Sequence, residues 1–440
     1  MQLRDEFPPE VLEESQYIID NANFLSDTDE RIRRDLRHLR SYSVDSEGAS
    51  EVDDALSVER IEDAESGEVK DKVWIHIADV SRWIKPGSQL SLEAERRMSS
   101  VYMPGNSIIR VIFAIQLTAI ASCSVDERIS MFPEELSTQV LSLGATIDSY
   151  ALSCGVTLHS NGSIDSFEVC PSRIRITRKL SYVQLDDIIN AASEDLSSPS
   201  SSRGTSLDAN LVEDISILNR WAKIRNQYRV QLGALDVFMR QKTELHLNVK
   251  KEKSSGSSSN AFPRYQVTGY TVWTNGTSLS LVSEFMILMS DTIGLYCVSQ
   301  KIPVLYKTQI PLTPITSEDA ALQEGETPFI RTTRLIKAIK PAVDTLAPGL
   351  HISSGSHAYV QCTSPIRRYH DLYNHYRLKA SMHAASMGEA WADRAEEEAG
   401  ITSLDSMSSA EERQATLTAI KMVCTLFLPL PSYHHESVFR

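Results

Sequence analysis

The sequence has 440 residues, of which 42% are hydrophobic, and it carries a formal net charge of −14. Such a chain can bury the core of one very large domain or of two to three ordinary ones. The acidic balance excludes a protein whose whole surface binds nucleic acid, so a polyanion site would have to be a local basic channel. The six cysteines form no CxxC pair and no metal-like spacing, which predicts buried thiols in a reducing compartment.

The stretch up to about residue 40 is charged and predicts a helical lead-in segment, in which ERIRRDLRHL would form a solvated face. The first residues, MQLRDEFPPEVLEE, have neither the apolar core of a signal peptide nor the Arg/Ser-rich composition of a transit peptide. No targeting signal is predicted, and cytoplasm, mitochondrion and plastid stay open as intracellular locations. The apolar stretch SIIRVIFAIQLTAIASC is shorter than the roughly 20 residues that a bilayer span needs, so we expect no membrane segment.

Strand-like and helix-like patterns alternate along the rest of the chain, which predicts an α+β fold. The runs ALSVERI and VWIHIADV flank a polar segment and predict a β-hairpin, and QKTELHLNVKK and PRYQVTGYTVW predict two strands joined by a serine-rich turn. Residues 280–300 are apolar at helical spacing and predict a buried helix, and residues 369–387 predict an amphipathic helix. We expect the main domain at 41–381 and an irregular tail at 382–440.

Four carboxylates fall close together in VDSEGASEVDDAL, namely Asp45, Glu51, Asp53 and Asp54. Asp54 opens an apolar strand, and a bend before it could bring several carboxylate oxygens to one point. Magnesium takes a few carboxylates together with water and substrate phosphate, and metal-assisted hydrolysis of a phosphodiester uses such a site. From these residues alone, a solvated acidic turn and a structural calcium site stay open as alternatives.

A second motif, CTSPIRRYHDL, places Arg367 and Arg368 directly after Ser364 and a proline. Arginine is suited to bidentate phosphate contact and to charge that develops in a transition state. The alternative is a surface ion pair with Asp371 or with another acid.

Together the motifs resemble those of the RNB catalytic domain of the ribonuclease II and ribonuclease R family. The resemblance runs in order from about Phe7 to Ala380. The matching stretches are FPPEVL, RRDLRHL, DSEGASEVDDALSVE, VWIHIADVSRWIKPGS, LEAERRMSSVYMP, MFPEELSTQVLSL, LVSEFMIL and YVQCTSPIRRYHDLYNH. The resemblance implies a mixed β-sheet surrounded by helices, with a central RNA channel. It also implies a hydrolase that takes single-stranded RNA from its 3′ end and releases nucleoside 5′-monophosphates.

The resemblance implies one or two Mg²⁺ ions, with Mn²⁺ as an alternative. Asp45 and Asp54 resemble metal-coordinating aspartates of the family, and Asp53 resembles the metal-binding aspartate most needed for cleavage. Glu51 stands where some members carry aspartate, and its longer side chain shifts the ligand oxygen by a methylene. Asp45, Asp53 and Asp54, with Arg367, are the expected catalytic residues.

The expected RNA contacts also come from the resemblance. Tyr102, in VYMP, resembles a tyrosine that stacks on the terminal nucleotide. Arg367 resembles the arginine at the scissile phosphate, with Arg368 as its support or as part of an ion-pair network. Glu284 resembles a glutamate near the substrate channel, although a glutamate that caps a helix would look the same. No obligate protein partner is expected, and the chain is predicted to be a monomer.

The sequence departs from the family at about residues 105–128, where an insertion follows Tyr102. We interpret it as a lineage-specific insert or, in preference, as a translated retained intron. OB-fold domains upstream and an S1 domain downstream have no counterpart in the sequence, which predicts either a fragment or weak RNA affinity. The main alternative function is therefore a catalytically impaired RNB-fold protein that binds RNA or acts as a scaffold. A metal-dependent DNA nuclease is disfavoured by the family resemblance alone.

Overall fold

The computed structural model describes residues 6–47, 49–62, 67, 69–102, 128–194, 208–234, 243–251, 265–274, 276–312, 323, 325–326, 330, 334–335 and 337–387. The predicted insertion at 105–128 lies outside these residues except for its last one. The predicted tail at 382–440 also lies outside them, except for residues 382–387, which end the last helix.

Helices and strands alternate along the chain, as an α+β fold requires. The strands are β1 Arg34–Asp35, β2 Ser41–Asp45, β3 Asp54–Glu62, β4 Val69–Ala78, β5 Val101–Tyr102, β6 Arg128–Ile129, β7 Ser149–Leu158, β8 Ile164–Ile174, β9 Ile176–Ser181, β10 Thr243–Lys251, β11 Tyr265–Thr274, β12 Tyr306–Thr308, β13 Val343–Thr345 and β14 Tyr359–Val360. The α-helices are α1 Pro9–Asn21, α2 Val80–Trp83, α3 Gln89–Arg97, α4 Glu134–Leu136, α5 Tyr182–Glu194, α6 Ala209–Gln231, α7 Thr277–Gln300 and α8 Tyr369–Met387, and a π-helical turn at Ser137–Leu141 follows α4.

The main sheet has seven strands in the order β1-β8-β7-β4-β3-β2-β9. Its inner pairs are antiparallel, and the two edge pairs, β1 with β8 and β2 with β9, are parallel. Strands β8 and β9 are five strand spacings apart in a flat sheet, or about 24 Å, yet only Arg175 separates them in the chain. Since one residue spans about 3.5 Å, the sheet must curl enough to bring the end of β8 close to the start of β9. The result is a curled half-barrel of mixed strands covered by helices.

Alternation along the strands divides the apolar residues between two cores. On β4, Val73, Ile75 and Ile77 belong to one core, whereas Trp74 and Ala78 belong to the other. Helices α5, α6 and α7 cover the first core, and α1, α3 and α8 pack on the second. This arrangement confirms the predicted mixed sheet with surrounding helices.

Polar side chains cross the interior of the sheet in a hydrogen-bonded row. His76 is fully buried and bonds through Nε2 to Ser57 (2.8 Å) and through Nδ1 to Ser153 (2.7 Å), and Ser153 bonds in turn to Ser172 (2.6 Å). Burial lowers the pKa of His76 to about 3, so the imidazole is neutral at physiological pH. His76 therefore joins neighbouring strands.

The prediction of a helix at residues 30–39 is wrong. Helix α1 ends at Asn21, and Arg34 and Asp35 form β1 beside β8. Leu36 and Leu39 have helical spacing, but they lie in the turn after β1 and are buried there. Arg33 explains the difference, because its guanidinium makes ion pairs with three buried carboxylates rather than lying on a solvated helix face.

The predicted helices at residues 280–300 and 369–387 are confirmed as α7 and α8. Helix α7 is buried along most of its length, and α8 covers the predicted residues 369–387. By length and composition alone α7 could cross a membrane, but 67% of its most apolar window is buried inside the protein, which is typical of a core helix. The strand pair predicted around the serine-rich turn is present as β10 and β11.

Candidate active site

The four predicted carboxylates lie at one end of two neighbouring strands. Asp45 is the last residue of β2 and Asp54 is the first of β3, and Glu51 and Asp53 belong to the loop between them. Two backbone hydrogen bonds of Val52 fix the loop to the segment at Ser142 and Leu143. The amide of Val52 donates to Ser142 Oγ (3.2 Å), and the carbonyl of Val52 accepts a bond from the amide of Leu143 (3.0 Å). The loop before β3 is therefore packed against the protein, and the solvated acidic turn is the poorer interpretation.

Asp53 connects the carboxylate loop to the arginine motif. Asp53 is buried, with 6% of the residue exposed. It accepts a hydrogen bond from Arg367 Nε (3.0 Å) and a longer one from the backbone amide of Ile366 (3.3 Å). Along the chain, Arg367 is 314 positions from Asp53 and Ile366 is 313 positions from it. The fold thus brings the two predicted motifs into direct contact.

The carboxylates carry more negative charge than their surroundings neutralise. Burial and the charge of Asp53 raise the pKa of Asp45 to about 7, although Arg367 and Lys179 act in the opposite direction. Burial, followed by the charges of Asp45 and Asp53, raises the pKa of Asp54 well above its usual range. Burial also raises the pKa of Asp53, and Arg367 opposes this. A bound cation would relieve this repulsion.

The donor set suits a hard divalent cation. Asp53 is buried and the other three carboxylates are half-buried, and carboxylates that repel one another are ligands that Mg²⁺ takes, usually with water and substrate oxygens completing its shell. Within the described ranges, however, no three histidine, cysteine, aspartate or glutamate side chains converge closely enough to form a ready-made metal site. The carboxylates therefore fit the metal by chemistry and charge, and the structure gives no coordination geometry.

The two arginines of the second motif have different partners. Arg367 bonds to Asp53 and also donates through Nη2 to Ser364 Oγ (3.0 Å), and its side chain is 44% exposed. Arg368 forms the ion pair that was the alternative interpretation of the motif, with Asp371 (2.8 Å). Arg368 also donates to Thr363 Oγ1 (3.2 Å). Arg367 is thus the arginine that bonds directly to the carboxylate loop, and it is the more exposed of the two.

The chain that leads into Tyr102 is tied to the same arginine segment. The amide of Ser100 donates to the carbonyl of Arg367 (2.9 Å), and the amide of Tyr369 donates to the carbonyl of Met98 (2.8 Å). Tyr102 itself lies in β5, paired with β6. The backbone two residues before Tyr102 therefore lies next to Arg367. The prediction for the aromatic ring of Tyr102 lies outside the described side chains.

Glu284 has a different environment from the other predicted site residues. It is 1% exposed and lies between α6 and α7. Its carboxylate accepts bonds from Arg229 Nε (3.0 Å) and from Asn226 Nδ2 (3.1 Å). These contacts group Glu284 with a buried ion pair of the helical layer, apart from the bonds that join Asp53 to Arg367.

Sequence reasoning missed one cation beside the carboxylates. Lys179 lies on β9, and its charge lowers the pKa of Asp45. The basic stretch SRIRITRK could be seen in the sequence. Nothing local indicated that β9 pairs with β2, because this ladder joins strands far apart in the chain.

The family and the curated relatives agree with the resemblance stated from the motifs. The model of the RNB domain family matches residues 33–109 and 114–384. A chloroplastic/mitochondrial ribonuclease II of Arabidopsis thaliana is 30% identical over 404 residues, which cover 92% of this chain and 43% of the relative. An uncharacterized ribonuclease of Synechocystis is also 30% identical, over 86% of this chain and 47% of the relative. The chain thus spans less than half the length of these two relatives.

The solved structures show the same fold at lower identity. Mycoplasma genitalium RNase R in complex with ribose-methylated single-stranded RNA has a TM-score of 0.66 and 20% identity, over 94% of this chain and 60% of that one. Yeast Ssd1, described as a pseudonuclease, has a TM-score of 0.56 and 19% identity, over 83% of this chain and 43% of that one. The catalytic-domain fold is therefore common to a nuclease and to a pseudonuclease.

Proposed function

The chain belongs to the RNB family of ribonuclease II and ribonuclease R, and on that premise we propose that it is a hydrolytic 3′-to-5′ exoribonuclease. Its substrate is single-stranded RNA and its products are nucleoside 5′-monophosphates. The observation that carries the proposal is the bond between Asp53 and Arg367, which joins the carboxylate loop to the arginine motif across 314 residues. The proposal is supported because Arg367, a side chain suited to phosphate, lies directly beside carboxylates suited to a metal.

The proposed cofactor is Mg²⁺, with one or two ions and with Mn²⁺ as an alternative. Asp45, Asp53 and Asp54 are the proposed ligands, and Glu51 is a further one. When bound, the metal would activate water and neutralise the charge of the phosphate. The raised pKa values of Asp45 and Asp54 support the proposal, because burial and then the neighbouring carboxylates disfavour their charged forms, which a bound cation would favour.

The positions of Arg367, Arg368 and Glu284 support the proposed roles of these side chains, and the role of Tyr102 comes from the family resemblance alone. Arg367, half-exposed beside Asp53, binds the scissile phosphate and stabilises its developing charge. Tyr102 stacks on the terminal base. Arg368 stabilises the arginine motif through its ion pair with Asp371, and the exposed part of its side chain contacts the RNA. Glu284 acts through its buried ion pair with Arg229, which fixes the helices beside the channel.

The biological setting is part of the same proposal. Structures of Mycoplasma genitalium RNase R with single-stranded and with double-stranded RNA support RNA as the partner class. The chloroplastic/mitochondrial ribonuclease II of Arabidopsis supports an organelle as the compartment, with the cytoplasm as the alternative. We propose a monomer whose catalytic unit is the predicted domain at 41–381.

The test is hydrolysis of single-stranded RNA labelled at the 3′ or the 5′ end, with and without Mg²⁺. The parent should release labelled monophosphate from the 3′ end at once, and should shorten the 5′-labelled strand stepwise. Asp53→Asn should abolish both, whereas Asp187→Asn, a matched change at an exposed aspartate of α5, should leave both unchanged. Single-stranded DNA in parallel separates a ribonuclease from a DNA nuclease.

A second candidate is an RNB-fold protein that binds RNA without cleaving it. One observation favours it, namely that no ready-made group of metal ligands is found among the described residues. RNA binding by the parent, with no hydrolysis in Mg²⁺ or Mn²⁺ and no effect of Asp53→Asn, would support this candidate and refute the nuclease.

A further inference from the structure

Lys179 lies on the edge strand next to the strand that carries Asp45. Strands β9 and β2 run parallel, with Lys179 opposite Ser43 and Ser181 opposite Asp45. Val44 and Leu180, which are opposite each other, point into the first core. Because side chains alternate along a strand, Lys179 and Asp45 share the other face of the sheet.

The aliphatic stem of Lys179 passes over a glycine behind the carboxylate loop. A Cβ atom placed on Gly144 would lie only 2.8 Å from Lys179 Cε, and Gly144 has a φ of +73° that disfavours other residues. The two residues before Gly144 hold the carboxylate loop through the backbone of Val52. One short segment thus supports both the loop and the lysine stem.

The ammonium group of Lys179 is available to a ligand. Neighbouring cations of this stretch are already paired, Arg173 with Glu30 and Arg175 with Asp148. Lys179 is exposed and is close enough to Asp45 to lower its pKa. Across the ranges that the structure describes, no ion pair of Lys179 within 4 Å is found.

We propose that Lys179 is a further substrate-binding residue of this site, and that its ammonium group binds a phosphate oxygen of the RNA held at the carboxylates. The inference rests on the proposed function and adds a residue to it. Lysine binds phosphate as a point charge. Lys179 approaches from β9, whereas Arg367 approaches from the segment before α8, so the two cations reach the site from different elements. The competing role is a local one, in which Lys179 only offsets the charge of Asp45.

The experiment compares Lys179→Met with Lys179→Arg and with Arg178→Met. Methionine keeps a long stem and removes the charge, and arginine restores the charge. Arg178 is the matched control, because it is an exposed cation on the same strand that points to the opposite face. The readouts are kcat and KM for single-stranded RNA, their dependence on salt, and the Mg²⁺ concentration for half-maximal rate. RNA affinity is also measured by fluorescence anisotropy in an Asp53→Asn background.

Lys179→Met should weaken RNA binding roughly tenfold, as expected for one charge-assisted hydrogen bond. It should also reduce the slope of log affinity against log salt by about 0.7, the value for one phosphate contact to a single strand. Lys179→Arg should recover most of the affinity, and Arg178→Met should keep the parental slope. An unchanged slope together with a lower Mg²⁺ requirement would show the local role and overturn the inference, as would equal losses in Arg178→Met.

The same measurements distinguish failure of the proposed function from failure of the role of Lys179. If the parent binds RNA but does not cleave it, the proposed function is refuted while the anisotropy comparison still tests Lys179. If the parent cleaves RNA and Lys179→Met is indistinguishable from it in both affinity and salt slope, only the inference is refuted. A parent that neither binds nor cleaves RNA refutes both.

Discussion

Replacing Asp45 with asparagine should stabilise the metal-free protein at alkaline pH. Burial and the charge of Asp53 raise the pKa of Asp45 from 3.8 to about 7. Each pKa unit corresponds to about 1.4 kcal/mol, so the ionised carboxylate costs the folded state about 4 kcal/mol at pH 8. Because the folded state binds the proton more tightly than the unfolded state, this cost grows as the pH rises from about 4 to 7 and is constant above. Asparagine is uncharged, and it removes the cost.

The assay is thermal unfolding of parent and Asp45→Asn in EDTA. With an unfolding entropy of about 2 cal/mol/K per residue, about 4 kcal/mol corresponds to a rise in Tm of about 4 to 6 °C at pH 8. At pH 5 the gain should fall below about 2 kcal/mol, because the parental carboxyl is then mostly protonated in the folded state. Mg²⁺ should raise the Tm of the parent and have little effect on the variant. Asp187→Asn, at an exposed position, is the control.

Two results would refute this reasoning about Asp45. A lower Tm of Asp45→Asn at pH 8 in EDTA would mean that the carboxylate is stabilised by its surroundings and not strained by them. An equal rise at pH 5 and pH 8 would mean that the gain comes from packing or hydrogen bonding, since neither depends on the ionisation of the group that was replaced.

Three further predictions concern other parts of the molecule. Lysine in Arg367→Lys cannot keep the bond to Asp53 and also make the two parallel hydrogen bonds to phosphate that a planar guanidinium makes. In steady-state kinetics, kcat/KM should therefore fall about 100-fold, with little change in Tm. Near-parental activity would contradict this prediction. Arg229→Met leaves the carboxylate of Glu284 buried without its guanidinium partner. The free energy of unfolding in urea should therefore fall by about 3 to 5 kcal/mol, and the double variant with Glu284→Gln should recover part of it. A loss of unfolding free energy below about 1 kcal/mol would mean that water replaces the pair. The pKa of His76 is lowered to about 3 in the folded protein, so the unfolded state takes up the proton first as the pH falls. The free energy of unfolding should therefore decrease below pH 6.5, by up to about 3 kcal/mol at pH 4. His76→Gln should flatten the dependence of unfolding free energy on pH, and an unchanged dependence would assign the acid sensitivity to other groups.

The local features of the site could be predicted because their signals are local. Alternation in ALSVERI and VWIHIADV gave the β3–β4 hairpin, and it therefore gave the strand that Asp54 begins. Apolar residues at helical spacing gave α7 and α8 for the same reason. Where long-range partners decide, the same signals mislead. Leu36 and Leu39 have helical spacing, yet the pairing of β1 with β8 and the buried ion pairs of Arg33 override it.

Glu284 shows the limit for a single charged residue. A glutamate in an apolar helix must find a cation when it is buried, and the sequence of α7 contains none near it. The cation is Arg229, on α6, at a separation of 55 residues. Family resemblance indicated that Glu284 has a role, but only the packing of α6 on α7 indicates that this role involves a buried ion pair.

The curl of the sheet explains why the partners of the carboxylates could not be found in the sequence. Since one residue joins β8 to β9, the last strand must return beside β2, and this places Lys179 next to Asp45 from 134 positions away. The arginine motif, which lies still later in the chain, reaches Asp53 from 314 positions away. The site thus lies where three distant segments meet, and each segment alone has an ordinary interpretation: an acidic turn, a basic strand or a surface ion pair. A substitution that loosens the joint between β8 and β9 should therefore reduce activity without touching any proposed ligand. Arg175→Pro, which also removes a backbone amide between the two strands, would test this by a loss of RNA cleavage larger than that of Arg175→Ala, and equal effects of the two substitutions would contradict it.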